Sequence, residues 1–401
     1  MNKTSNHIKN ILHGFFLSIG TTIAEPSTIL PLIIHYFGGS SMVVGLFSSL
    51  LRGGAVAVQL FAAFKAQSYV YMIPYIKRVF IIRFFAWFFI GVIIIFFGKD
   101  YPTFTLFCIG IGLFVFSFSA GFGAIYFKDI IAKIFTNKFR GKTMSYRQFF
   151  AGLGGLLSGS LAGMVLTHFQ APQSYGYLFV ISSFVMGFGY FAFSTIDEPP
   201  KQNIAEKEKS FKKFLHNSWK ILQSDKQLQI QLGTFLLSYS YLFSLPFIIL
   251  DAQSKIDLNG SAIGYLITTQ MVGGMLSNIL WAKLSGRGLN KLTAHISILL
   301  FMAAIVVAYF GTDIYHFMVL FFMIGAAMDG NRIASGNLIL VLAPEDKRPV
   351  YMALQINIIS FGLFFSLLGG VILHLSNYTT LYTTTLILLF ISFLLSFRLK
   401  D

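Results

Sequence analysis

Twelve stretches of this chain run for 20 residues or more with almost no charge. They are Ile11–Phe37, Ser41–Phe64, Val79–Gly98, Tyr101–Phe127, Thr143–Thr167, Tyr175–Ile196, Gln227–Leu250, Leu258–Ala282, Leu292–Thr312, Ile314–Leu342, Val350–Ile372 and Tyr378–Phe397. A helix of that length crosses a hydrocarbon layer of about 30 Å. The runs are too long for sheet strands, and the alternation of a membrane β-barrel is missing. Composition agrees. Charged residues make up 11% of the 401, against about 25% in an ordinary soluble domain. The single cysteine, Cys108, excludes a disulfide framework and a thiolate zinc cluster.

Basic residues orient the spans, because loops on the cytoplasmic side collect Lys and Arg. With the N-terminus inside, 26 of the 30 basic residues fall on inner loops and two, Lys99 and Lys255, on outer ones. Only Arg52 and Arg332 then lie deep in spans. The bias accounts for a net charge of +15 without nucleic acid. It predicts a multi-pass protein of the plasma membrane (cell inner membrane) with both termini cytoplasmic. Ile11–Ala24 has the look of a signal-peptide core, but the apolar pattern resumes at once, so cleavage after Ala24 is not expected.

The spans divide six and six. Residues 1–196 form one half and residues 227–401 the other. Residues 197–226 link them and hold Pro199, Pro200 and seven lysines. Within the linker, Phe211–Leu222 sets apolar residues among lysines and predicts an amphipathic helix on the membrane surface, with a flexible linker as the alternative. The halves echo each other. KFRGKTMSYRQFFAGLGGLLSGSLAG (Lys138–Gly163) superposes on DKRPVYMALQINIISFGLFFSLLGG (Asp346–Gly370) at a shift of 208, matching Arg140 to Arg348, Met144 to Met352 and Gly154 to Gly362. VGLFSSLLRGG (Val44–Gly54) echoes IGYLITTQMVGG (Ile263–Gly274). The fold expected is all-α, with twelve transmembrane helices in two repeated six-helix halves, an architecture of transporters.

These segments, with PLIIHYFGGSSMVVGLFSSL after the first span and APEDKRPVYMAL before the eleventh, resemble the loop-and-glycine signatures of the major facilitator superfamily. The superfamily's Gly-x-Leu-x-Asp-Arg-x-Gly loop is missing. AAFKAQSYVYMIPYIKR stands there, and KLSGRGLNK (Lys283–Lys291) is a worn counterpart with Gly286 in the Asp position. The resemblance implies alternating access. It puts spans one, four, seven and ten around a central solute cavity, and it gives Arg140, Arg287 and Arg348 gating roles in the inner loops.

Ionisable groups inside spans are costly and mark sites. Glu25 lies 12 residues before Phe37, and Arg52 lies 11 after Ser41 in the next span. At 1.5 Å per residue both are about 16–18 Å below the outer edge. The three-residue connection Gly38–Ser40 makes the spans neighbours, so the two charges are expected to meet. Pro26 and Pro31 bracket the region just after the acid and favour a bend of the span around Glu25. Asp329 and Arg332, one turn apart in MDGNRIASGN, share a face, with Asn331 and Asn337 nearby. On span seven, SYSYLFSLPF offers Tyr239, Ser240, Tyr241 and Ser244 as an aromatic and hydroxyl wall for an amphipathic solute.

Glu25 and Asp329 are therefore candidates for proton coupling. Arg52, Arg332, Asn331, Asn337, Tyr239, Ser240, Tyr241 and Ser244 are candidates for substrate binding. Either acid is alternatively half of a permanent structural pair. Met271 and Met275, with His35 and His316 elsewhere, make a poor copper site. No phosphate-binding Gly-Lys-Ser/Thr loop occurs, and no catalytic constellation lies outside the spans. The function expected is secondary active transport of a small organic solute by a monomer, driven by protons, without a cofactor. The lack of a dense polar sugar-binding set favours export. An uncoupled facilitator, a nutrient importer and a non-transporting scaffold or receptor are the alternatives.

Overall fold

In the computed structural model, residues 3–23, 25, 27–66, 69–200, 219–344 and 348–400 are described, and no strand occurs among them. Helices α1 (Lys3–Ile23), α2 (Ile29–Tyr36), α3 (Ser41–Gly53), α4 (Val56–Ala66), α5 (Ile73–Phe97), α6 (Pro102–Ile134), α7 (Asn137–His168) and α8 (Gln173–Ser194) precede the linker. After it come α9 (Lys226–Ser238), α10 (Tyr241–Lys255), α11 (Gly260–Gly286), α12 (Asn290–Phe310) and α13 (Ile314–Leu342). The chain ends with α14 (Arg348–Ile359), a 3₁₀ turn (Ser360–Phe364), α15 (Phe365–Leu375) and α16 (Tyr378–Ser396).

Among the described residues, nine helical stretches are long and apolar enough to cross a membrane. The first two expected spans are instead each divided, into α1 with α2 and α3 with α4. Span eight, within α11, is long but is not among the nine. Spans seven and eleven are also interrupted, at Tyr239–Ser240 and at the 3₁₀ turn. Of the expected linker helix Phe211–Leu222, only Trp219–Leu222 are described, and they are helical. Its other residues, like Pro26 and Glu345–Lys347, lie outside the described residues.

The helix ends follow from side-chain chemistry. Asp225 accepts from the Leu228 amide at 3.0 Å to open α9, and Asn377 accepts from Thr380 at 2.9 Å to open α16. Pro102, which has no amide hydrogen to leave unpaired, begins α6. The outer faces are apolar: Phe96, Phe191, Phe310 and Ile279 are each more than 70% exposed. Such a surface suits hydrocarbon and not water.

Contacts divide the chain into two units. Unit 1 comprises Met1–Gly39, Leu50–Glu208 and Asn259–Thr268, and unit 2 comprises Ser40–Ser49, Lys209–Leu258 and Thr269–Asp401. In unit 1, α1 packs on α7 and α8, and α5 packs on α6 and α8. Trp87 anchors its core. The indole lies 4.0 Å from Phe116 and 4.9 Å from Phe179, and its Nε1–H donates to Ser182 Oγ at 2.9 Å. In unit 2, α12 packs on α13 and α16, and α10 packs on α15. There Tyr241 stacks on Phe301 at 4.1 Å, and Trp281 donates to the Ala326 carbonyl at 3.1 Å.

Candidate functional site

The gap between α1 and α2 is where Glu25 sits. A helix cut inside a membrane exposes backbone groups that must find partners. The carbonyl of Glu25 accepts from the amides of Thr28, Ile29 and Leu30 at 3.1–3.3 Å, which restarts the chain as α2. The Glu25 amide closes α1 on the Thr22 carbonyl at 3.1 Å. Its carboxylate is thus held at an unwound point. Oε1 accepts from Ser27 Oγ at 2.9 Å and faces Arg52 Nη2 at 3.7 Å. The side chains of Arg52 and Glu25 are 13% and 16% exposed. Arg52 stands in the last turn of α3, just before the second divided span restarts. The pairing expected from equal depth is therefore present in unit 1.

In unit 2, Asp329 and Arg332 also meet. Arg332 Nη2 lies 2.8 Å from Asp329 Oδ1, and Asn278 on α11 donates to the other carboxylate oxygen at 2.7 Å. Arg332 remains 60% exposed. Asn331 turns elsewhere: it is buried and donates to Ser238 Oγ at 2.9 Å. Asn337 is not with them either. It donates to Ser285 Oγ at 2.6 Å and to Asn290 Oδ1 at 2.9 Å, bracing the α11–α12 turn.

The wall expected on span seven separates into different surroundings. Tyr239 is half-buried in the break, against Gly362 of the 3₁₀ turn. Tyr241 is 5% exposed on Phe301. Ser244 is fully buried, with its hydroxyl 2.7 Å from Thr385 Oγ1 on α16. Ser240 is buried as well. Ser240 stands in the break just before α10, and Thr385 shows that Ser244 points into the packing of unit 2. Of the loop arginines, Arg140 closes the end of α6 by donating to the carbonyls of Ala132 at 3.0 Å and Phe135 at 3.3 Å. Arg287 is exposed, and the side chain of Arg348 lies outside the described residues.

Three groups were not singled out by the sequence. Asp251, near the outer end of span seven, is 4% exposed. One of its oxygens accepts from Lys255 Nζ and from Tyr382 Oη, each at 2.8 Å, while Lys255 also donates to the Ala308 carbonyl at 3.0 Å. The i,i+4 spacing with Lys255 was visible, but Tyr382 lies 131 residues away. Glu198, at the start of the linker, is nearly buried. It accepts from the amides of Met72 and Ile73, each at 2.8 Å, and pairs with Lys133 at 2.7 Å. Arg83 and Arg147, counted from the sequence with the inner loops, pack among the helices of unit 1. Arg83 donates to Tyr190 Oη at 2.9 Å over the Phe116 ring, and Arg147 lies over Phe127.

Comparison with known proteins joins these features. No curated protein sequence matches the chain. The chain resembles the solved structure of the nucleoside transporter NupG with a TM-score of 0.76 at 13% identity, over 98% of each chain. It resembles a POT family transporter in complex with a thioalcohol-conjugated peptide with a TM-score of 0.72 at 11% identity, over 98% of this chain and 96% of that one. It also resembles a bacterial homolog of the human lysosomal transporter Spinster, inward-facing and unoccupied, with a TM-score of 0.67 at 14% identity, over 99% and 97%. At these identities the likeness is one of fold. The model of the Major Facilitator Superfamily matches residues 11–254 and 230–401, so the chain belongs to that superfamily of membrane transporters.

Proposed function

We propose that this chain is a proton-coupled secondary active transporter that exports a small organic solute across the plasma membrane. It does so through twelve spans, with both termini cytoplasmic. The observation that carries the reading is the carboxylate at the gap of the first span. Glu25 Oε1 is held by the Ser27 hydroxyl at 2.9 Å, by the Ser27 amide at 3.4 Å and by one guanidinium at 3.7 Å, the last longer than a hydrogen bond. The Arg52 contact is single and long while Ser27 holds the carboxylate through two donors, so proton binding can replace Arg52 without unfolding the site. A change of charge at a backbone break is then felt by the two helices that the break joins. Asp329 is the second coupling position.

The facilitator reading draws on Asp329 itself. That carboxylate is held at 2.8 Å and 2.7 Å by two donors, the geometry of a settled structural pair.

Purified protein in liposomes, given a mixed solute panel with and without a proton gradient, separates the readings. Coupled transport predicts gradient-driven solute movement in wild type and its loss in Glu25→Gln. Equal, pH-independent movement by both proteins refutes coupling through Glu25, and no movement of any solute refutes transport of that panel.

A further inference from the structure

Within its spans, unit 1 holds more positive than negative charge. Arg52 faces Glu25, but Arg83 and Arg147 have no carboxylate within ion-pair distance among the described residues. Arg83 is nonetheless well placed, 4.0 Å over the Phe116 ring and hydrogen-bonded to Tyr190 Oη at 2.9 Å. Arg147 is less so. Its guanidinium lies 4.8 Å from the Phe127 centroid, and Nη1 reaches the Asn10 carbonyl only at 3.5 Å.

Beside it is a second shortfall of a different kind. His13 is 4% exposed, and neither ring nitrogen has a hydrogen-bond partner. Rings of Phe193, Phe80 and Phe127 enclose it at 4.8, 5.4 and 5.8 Å and offer it no acceptor. The next residue, Gly14, has no side chain. A Cβ there would lie 2.6 Å from Arg147 Nη1, so the bare glycine lets the guanidinium reach the level of His13.

A guanidinium without an anion and an imidazole without a partner thus both lie against the Phe127 ring, on two helices, α7 and α1, that pack together. One group answers both: an oxyanion accepts from the N–H groups of Arg147 and from the ring N–H of His13. We propose that Arg147, backed by His13, binds a carboxylate or phosphate oxyanion. His13 and Arg147 lie two and four residues inside the inner ends of their spans. That is about 3–6 Å at 1.5 Å per residue. A cytoplasmic solute and the phosphate of an inner-leaflet lipid both reach that level. Where the oxyanion belongs to the solute, the inference deepens the transport reading and rests on it.

The test follows thermal midpoints. Whole protein in detergent is titrated with inorganic phosphate and with succinate at constant ionic strength. In parallel, nanodiscs of phosphatidylcholine are compared with nanodiscs containing phosphatidylglycerol. The expected result is a saturable rise in wild type. The apparent Kd is weakened about tenfold or more in Arg147→Met and less in Arg147→Lys, which keeps the charge and loses the fork. His13→Phe also weakens it, and exposed Lys77→Met leaves it unchanged. A response to soluble anions assigns the oxyanion to the solute, and a response to phosphatidylglycerol alone assigns it to the lipid. No response to either in wild type, or an undiminished response in folded Arg147→Met, overturns the proposal. Liposome flux keeps the two readings apart. If succinamide moves and neither succinate, phosphate nor phosphatidylglycerol gives a response, the anion site falls and transport stands. If anions bind but no solute moves, the site stands and the transport reading falls.

Discussion

Removing Lys255 is expected to harm unit 2 more than removing the acid it pairs with. The carboxylate of Asp251 is 6% exposed, whereas Lys255 is 28% exposed. At 2.8 Å the gross attraction is about 6 kcal/mol with an effective dielectric of 20. Little of that is net, because both charges left water to make it. In Lys255→Met the buried carboxylate keeps only Tyr382 Oη, and an orphaned buried charge costs about 3–5 kcal/mol. The partly exposed lysine and the surviving hydrogen bond put the value at the lower end, about 3 kcal/mol. In Asp251→Asn the amide oxygen still accepts from Tyr382 and the lysine can turn toward solvent, so the loss is about 1 kcal/mol. The double variant buries no charge and loses about 1–2 kcal/mol, well short of the sum. Unfolding of the purified protein, by denaturant or by steric trapping in bilayer mimics, measures all three. If Lys255→Met costs no more than Asp251→Asn, or if the pair is additive, the charge argument is wrong.

Three further outcomes are expected. At Gly325, where α13 crosses α11, a Cβ would overlap the backbone carbonyl of Gln270, so Gly325→Ala should destabilise by about 1–3 kcal/mol and lower the thermal midpoint. Glu198→Ala removes an anionic acceptor from the first amides of α5 and one of the two carboxylates paired with Lys133, the other being Asp129 at 2.8 Å; a loss of about 2 kcal/mol is expected by the same unfolding assay. His7, four residues before the first span, accepts or donates at Thr143 Oγ1 at 2.7 Å, and burial, then nearby Lys142, hold its pKa below 6.5. The folded protein therefore binds this proton less readily than the unfolded chain, so its contribution is present above pH 6.5 and is lost as pH falls below it. The midpoint should drop on acidification from pH 7.5 to 5.5, and His7→Gln should flatten that drop.

The legible part of the site was the part fixed by counting. Glu25 and Arg52 sit on adjoining spans at equal depth, and rise per residue alone brings them together. Asp329 and Arg332 share one helix face by spacing. What counting cannot supply is which face of a helix meets which neighbour. Spacing offers Ser244 to a solute as part of a wall on span seven, yet Thr385, 141 residues later, shows that its hydroxyl is packed. The same limit hid Asp251, whose decisive partner Tyr382 comes from another helix. Charges near helix ends were a further blind spot. Arg147 lies near the inner end of its span and counts with the inner-loop charges in KFRGKTMSYRQ, and nothing local says that Gly14 makes room for its head. The break at Glu25 had a signal in its prolines, whereas the break at Tyr239–Ser240 had none.

The central claim is that protonation of Glu25 couples solute to the proton gradient. The most direct measurement compares two modes of flux in the same liposomes, solute-for-solute exchange at uniform pH and uphill movement driven by a pH gradient. In Glu25→Gln the exchange should persist while the gradient-driven component vanishes. Uphill, pH-driven movement that survives in Glu25→Gln would contradict the account.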